Sequence, residues 1–255
     1  MCILFIAIKQ HPKYPLIIAA NRDEFYARPT AVSKFWSDYP DVLAGRDKQS
    51  GGTWMGINTQ GYLAALTNFR DPKLNQENAP SRGHLVSDYL IKPSTDYRDH
   101  LEAQGNQYNG YNLLCGHWEE LSVYNNVSRQ HSLLSPGYYG LSNAMLDTPW
   151  PKLSHGVRAL RETVNSSKDT PKSIQESLFS VLADQTLSSD DQLPDTGIGL
   201  EFEKALSSIF INLDSYGTRS STVLMISNTS EVSWLEKSFS SQGQLESEQG
   251  FNFKV

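Results

Sequence analysis

Cysteine is scarce in this 255-residue sequence: Cys2 and Cys115 are the only two. Two widely spaced thiols make neither a disulfide framework nor a zinc site. Basic charge is also short, with 22 Lys and Arg against 28 Asp and Glu and a net charge of -6. That balance disfavours a nucleic-acid partner, which needs a basic face. No apolar run approaches the roughly twenty residues of a membrane span. The first run, residues 3–8, is too short for a signal peptide and has no basic stretch before it. The expectation is a cytoplasmic protein with reduced thiols and no transmembrane segment. The common catalytic fingerprints are missing too: no Gly-x-Gly-x-x-Gly, no phosphate loop, no Gly-x-Ser-x-Gly and no His-Glu-x-x-His. "SGGTW" lacks the Lys-Ser/Thr of a phosphate cradle, and "DDQLPD" does not have calcium-loop spacing. No metal site is expected.

What is present reads as blocks of strand and helix. "ILFIAI" (3–8) and "LIIAA" (16–20) are β-branched, continuous apolar runs, which predicts two strands buried on both faces. Pro12 and Pro15 lie between them, where a hairpin loop suits and a helix does not. "TWMGIN" (53–58) and "YLAALTN" (62–68) form a second pair about the short turn "TQG". Helical spacing begins near Ser81 and stops at Pro93, and Ser94 or Thr95 can cap a second helix through Leu101. Strands return at 111–117, 120–126 and 138–143. Helices follow from Pro151, a good first-turn residue, to about Val164, and over roughly 172–182. Residues 188–199 read as a polar loop, and a short helix spans about 201–209. "STVLMIS" (221–227) and "VSWLEK" (232–237) close a last hairpin. From about Ser238 the chain reads as a polar tail with Phe251 and Phe253 as anchors. No composition break divides the chain, so one domain over 1–255 is expected, with sheets covered by helical layers.

The chemistry concentrates at the first hairpin. With its loop centred near residue 12, Cys2 falls roughly opposite Arg22, and Asn21, Asp23 and Glu24 crowd around it. Cys after the initiator Met commonly permits removal of that Met. The product carries a thiol and a free α-amine on one residue, and an α-amine near pKa 7.7–8.0 is a base at neutral pH. Arg22 is expected to lower the thiol pKa, and Asp23 to orient the amine. Asn68 and Asn143, at the ends of "LTN" and "LSN", can supply oxyanion donors. Each feature also has an ordinary reading: a small buried hydrophobe for Cys2, a salt-bridged strand end for "NRDE", turn chemistry for the two asparagines.

The segments "MC", "AANRDE", "GGTWMGIN", "ALTNFR", "SRG", "GLSNAMLDTPWPKL" and "YGTRSSTVL", in this order from Cys2 to about Leu224, resemble the NRDE protein family, also called the transport and Golgi organisation protein 2 family. That family in turn looks like the N-terminal-nucleophile hydrolases of the bile-salt and penicillin V amidase group. The resemblance implies an α+β fold, a four-layer αββα sandwich of two stacked, mainly antiparallel sheets. It implies Cys2 as nucleophile, Asp23 holding the α-amine, Asn68 and Asn143 lining the oxyanion site, and Arg219 as partner of the thiolate or substrate. Asn21, Arg22, Glu24 and Trp54 are the candidate substrate-binding residues. One departure stands out: the amidases place an Arg before the Asn of this motif, where this chain has Ala20, and the Arg follows as Arg22. Hydrolysis of an amide or thioester by such a site requires no cofactor. The family also implies an alternative, a non-catalytic carrier of haem, acyl-CoA or lipid. For haem the candidate ligands are Cys2, Cys115 and the histidines 11, 84, 100, 117, 131 and 155, none in a Cys-x-x-Cys-His attachment site.

Overall fold

A computed structural model describes residues 2–166 and 170–255; Met1, on whose removal a free α-amine at Cys2 depends, lies outside them. The two apolar runs at the start form β1 (Cys2–Ile8) and β2 (Leu16–Phe25), every residue of β1 being buried. Further strands are β3 (Thr30–Phe35), β4 (Val42–Asp47), β5 (Met55–Asn58) and β6 (Tyr62–Asn68). After helices α1 (Gly83–Ile91) and α2 (Tyr97–Gln104) come β7 (Tyr111–His117), β8 (Glu120–Asn125), β9 (Gln130–Leu133) and β10 (Gly137–Leu141). Helices α3 (Pro151–Asn165), α4 (Pro171–Leu182) and α5 (Leu200–Ala205) precede β11 (Tyr216–Ile226), β12 (Glu231–Phe239) and β13 (Leu245–Lys254).

Among the described residues these strands make a six-stranded sheet, β10-β1-β2-β11-β12-β13, and a seven-stranded one, β3-β4-β5-β6-β7-β8-β9, paired antiparallel throughout. Period-two alternation splits the apolar residues of β1 between two cores. Leu4, Ile6 and Ile8 join Leu43, Ile57, Leu63 and Leu114 between the sheets. Ile3, Phe5 and Ala7 meet Leu153, Leu160, Ile174 and Leu178 of α3 and α4. On the far side, Leu85, Val86, Tyr89 and Leu90 of α1 and Leu101 of α2 cover Ala44, Ala64 and Leu113. Helix, sheet, sheet, helix is thus the layer order, an α+β αββα sandwich. No helix among the described residues is long and apolar enough to cross a membrane.

Helix α3 lies so close to β1 that a Cβ built on Gly156 would stand 2.0 Å from the Phe5 ring. Phe5 is fully buried and has nowhere to move. Gly156→Ala is therefore expected to cost about 1–3 kcal/mol through overpacking, despite alanine's better helix propensity; urea unfolding reads the loss directly.

Residues 245–254 correct the expectation of a polar tail. They pair with β12 along nearly its whole length as an edge strand, and Phe251 and Phe253 reach Phe35 edge-on at 5.9 and 5.4 Å.

Candidate functional site

The β1–β2 ladder pairs Cys2 with Arg22, Ile3 with Asn21 and Leu4 with Ala20. The thiol thus sits at the open end of the central hairpin. There a cavity of about 440 Å³ opens, lined by residues of both sheets. The six-stranded sheet contributes Cys2, Arg22, Asp23 and Glu24 to its wall, and the other sheet contributes Asp47, Leu66 and Asn68. Loops close the remainder with Trp54, Arg28 and Arg82.

Each of these side chains is held from behind. The Arg22 guanidinium lies 4.4 Å from the centre of the Trp54 indole, 3.9 Å from Glu24 Oε2, and donates to Thr30 Oγ1 at 3.1 Å. Trp54 takes that position because β4 has no side chain at Gly45, where a Cβ would stand 2.1 Å from the indole. Arg28 grips Asp47 through Nε and Nη2 at 2.9 and 2.5 Å. Arg82 donates to the Gly110 carbonyl at 2.8 Å and has no carboxylate in ion-pair contact among the described residues. Asp23 is 2% exposed, and its Oδ1 accepts from Thr218 Oγ1 at 2.8 Å, while Tyr216 donates its hydroxyl hydrogen to the Asp23 carbonyl at 3.1 Å.

Cys2, Arg22, Asp23, Glu24, Trp54 and Asn68 therefore share one cavity, whereas Asn21, Asn143 and Arg219 do not line it. Asn21 pairs with Ile3, so its side chain leaves the opposite face of the sheet. It donates to the carbonyls of Leu182 and Ile209 at 2.8 and 3.0 Å and accepts from Ser221 at 2.6 Å. It ties the helical layer down and does not meet substrate space. Asn143 donates its amide hydrogen to the Asn68 carbonyl at 2.9 Å, and its own carbonyl accepts from Arg70 N–H. It fixes Asn68 from beneath instead of facing the cavity. Arg219 sits at a bulge, where the β11 register slips between Thr218 and Ser220. A bulge re-aims its side chain, and Nη1 donates to the carbonyls of Phe25, Tyr26 and Arg28. Arg219 thus shapes the turn that carries Arg28 into the cavity.

Burial dominates the electrostatics. It pushes the Cys2 thiol up, the Asp23 charge adds to that, and Arg22 opposes both without prevailing. Arg22 thus acts on the thiol in the expected downward direction, but burial outweighs it and the net shift is upward. A thiol held protonated needs a base beside it to react. Burial also raises Asp23, opposed by Lys152, Thr218 and Arg22. Cys115, pushed up to about 12 by burial, is an inert core thiol.

A second, buried group of charges, which sequence reasoning missed, gathers Arg70, Lys152 and Glu203. Arg70 Nη1 stands 2.7 Å from Glu203 Oε2, both side chains being nearly inaccessible. Lys152, 7% exposed, donates through Nζ to the Leu206 carbonyl at 2.7 Å. Burial first, then Arg70, lowers its pKa to about 8. Arg28, Asp47 and Arg82 were also missed. Arg82 stands inside "SRG" and Asp47 at the end of "AGRD", but only stacking of the sheets brings them to Cys2.

Fold and site together define a four-layer αββα protein with a cysteine at the mouth of its central hairpin, inside an arginine-walled cavity. The family model described as Transport and Golgi organisation 2 matches residues 1–241, and the chain belongs to that family. A relative, the Transport and Golgi organization protein 2 homolog of Bos taurus, is 38% identical over 261 residues, covering 93% of each chain. Among solved structures, a Caenorhabditis elegans N-acylethanolamine-hydrolyzing acid amidase ortholog is similar at TM-score 0.47 and 12% identity, over 88% of this chain and 92% of that one. A conjugated bile acid hydrolase of Clostridium perfringens is similar at TM-score 0.45 and 10% identity, over 100% of this chain and 92% of that one. Likenesses at that level say nothing of the reaction.

Proposed function

We propose that the protein is an acyl-transfer hydrolase in which Cys2, freed of Met1, attacks an amide or thioester carbonyl. The observation that carries this reading is the pairing of Cys2 with Arg22 at the floor of a polar cavity that Asp23 and Asn68 also line. The α-amine of Cys2 takes the thiol proton as sulfur attacks the carbonyl carbon. Asp23, accepting from that amine, sets its orientation. The Asn68 amide, fixed through its backbone by Asn143, donates to the developing oxyanion. The protonated amine then returns its proton to the leaving nitrogen or sulfur, and water hydrolyses the thioester formed on Cys2.

The wall narrows the substrate class to small molecules with an anionic substituent. Arg28 is committed to Asp47, so Arg82, with one carbonyl partner, is the guanidinium placed to receive it. Arg82→Ala is expected to raise KM by tenfold or more with kcat changed less, since it removes binding and not chemistry; steady-state kinetics separate the two. The carrier reading fits the cavity less well. Haem wants an apolar cleft and an axial ligand, whereas this lining is mostly polar or charged and, among the described residues, holds no histidine.

A thiol-directed acylating analogue tests the proposal. Mass mapping is expected to find the label on Cys2 and none on Cys115. Equal labelling of both, or of neither, would contradict it.

A further inference from the structure

We propose that a second, smaller cavity beside Trp54 binds a small uncharged polyol, independently of the chemistry at Cys2. This cavity, of about 90 Å³, takes Trp54 as part of its wall, as the Cys2 cavity does. Thr30, Ala31 and Val32 of β3 line it from the seven-stranded sheet, and β11, β12 and β13 line it from the other. Ladder register explains the lining. Ser220 pairs with Arg22 on one side and with Ser238 on the other, and Ser238 pairs with Ser247. Directly paired residues of neighbouring strands present their side chains on the same face. Three hydroxyls therefore stand in one row across β11, β12 and β13, in line with Arg22 and Cys2. The row runs from buried Ser220 to half-buried Ser238 and Ser247 at the sheet edge, which gives the cavity a way in from solvent.

Two side chains in this wall carry buried polar atoms that nothing else engages. Ser220 is 5% exposed, and its Oγ has no hydrogen-bond partner among the described residues. Arg219, turned by the bulge, commits Nη1 to the carbonyls of Phe25, Tyr26 and Arg28 and lies 5.8 Å from the Tyr26 ring centre. Its buried Nε has no acceptor among the described residues. Buried polar atoms are nearly always paired, and leaving one unpaired is costly. Glu236, 1% exposed, serves neither: Oε1 accepts from Ser33 N–H at 2.7 Å, and Oε2 from the hydroxyls of Ser33 and Thr222 at 2.8 and 3.5 Å. The charges around the cavity set the class of ligand. An anion meets Glu236 and Glu246, and a cation meets Arg219. An uncharged ligand avoids both repulsions. Arg219 Nε–H can only donate, whereas a hydroxyl donates and accepts. A ligand hydroxyl thus satisfies Arg219 as acceptor and Ser220 in either role. Val32, Phe239 and Trp54 offer its carbon chain apolar contact. At about 10–15 Å³ for each water-sized group, the cavity holds a polyol of about four carbons and is too small for a drug-sized ligand.

Erythritol titrated into the isotope-labelled full chain tests the site by NMR. Arg219→Lys identifies the Arg219 Nε–H signal by its loss. In the parent protein that signal is expected to shift saturably, with a dissociation constant on the order of 10 mM. Saturation transfer to the erythritol protons is expected to follow the same curve and reads binding from the ligand side. Ser220→Ala, which removes only a hydroxyl, is expected to weaken binding about tenfold. Ser220→Val also fills the space and is expected to abolish binding; where that variant does not fold, the alanine variant decides. Acetate over the same range is expected to leave the signal in place. Shifts that grow linearly without saturating, or that are the same in the parent and Ser220→Ala, overturn the proposal. Acetate that saturates at a lower concentration than erythritol overturns it as well.

Discussion

Cys2→Ala is expected to abolish acyl turnover, lowering kcat by about 10⁴-fold or more, the scale on which hydrolases lose rate when the nucleophile is removed. Substrate affinity is expected to stay within a few-fold, because the proposed binding groups are Arg82, Trp54 and other residues that line the cavity, and not the thiol. The fold tolerates the change. Cys2 lies at the strand end and at the rim of the inter-sheet core, 9% exposed, so deleting one sulfur leaves little void. Cys2→Ser separates chemistry from shape. It keeps a nucleophile of similar size beside the same base, so a residual rate above the Ala variant is expected. Single-turnover kinetics with a chromogenic amide or thioester measure all three proteins. A Cys2→Ala variant within tenfold of the parent would remove Cys2 from the mechanism.

The second large effect is on stability. Glu203→Ala is expected to cost about 3–5 kcal/mol, because it strands the Arg70 charge in a buried site. The pair is 7% and 3% exposed, and Glu203 also holds Thr196 of the 188–199 loop. A surface ion pair would cost no more than about 1 kcal/mol, so the two cases separate cleanly in urea. Replacing both partners, Arg70→Met with Glu203→Leu, is expected to recover most of the loss, since neither charge is then left unpaired. A loss below about 1 kcal/mol in Glu203→Ala would mean that Arg70 finds water or another partner.

Much of the architecture was legible in residue patterns. The runs 3–8 and 16–20 had the composition of doubly buried strands, and the prolines between them placed the turn. Together these put Cys2 opposite Arg22, as the ladder shows. The same alternation already carried the fate of Asn21: a residue opposite Ile3 leaves the sheet on the face away from Cys2. Other features depend on geometry that no local pattern encodes. Arg219 is turned away by a one-residue bulge. β13 was hidden because an edge strand half-exposed to water keeps charged residues, as "LESEQGFNFK" does, and its apolar signal reduces to two phenylalanines. The cluster of Arg70, Lys152 and Glu203 joins three segments far apart in sequence, and each residue alone reads as a surface charge.

The proposed mechanism needs a free α-amine and a thiol to act together on Cys2. The intact mass of untagged, natively expressed protein, with mapping of its N-terminal peptide, tests it most directly. The expected mass is that of a chain beginning at Cys2. A chain that retains Met1 in its working form would contradict it, because the amine would then be tied up in a peptide bond and the thiol left without its base.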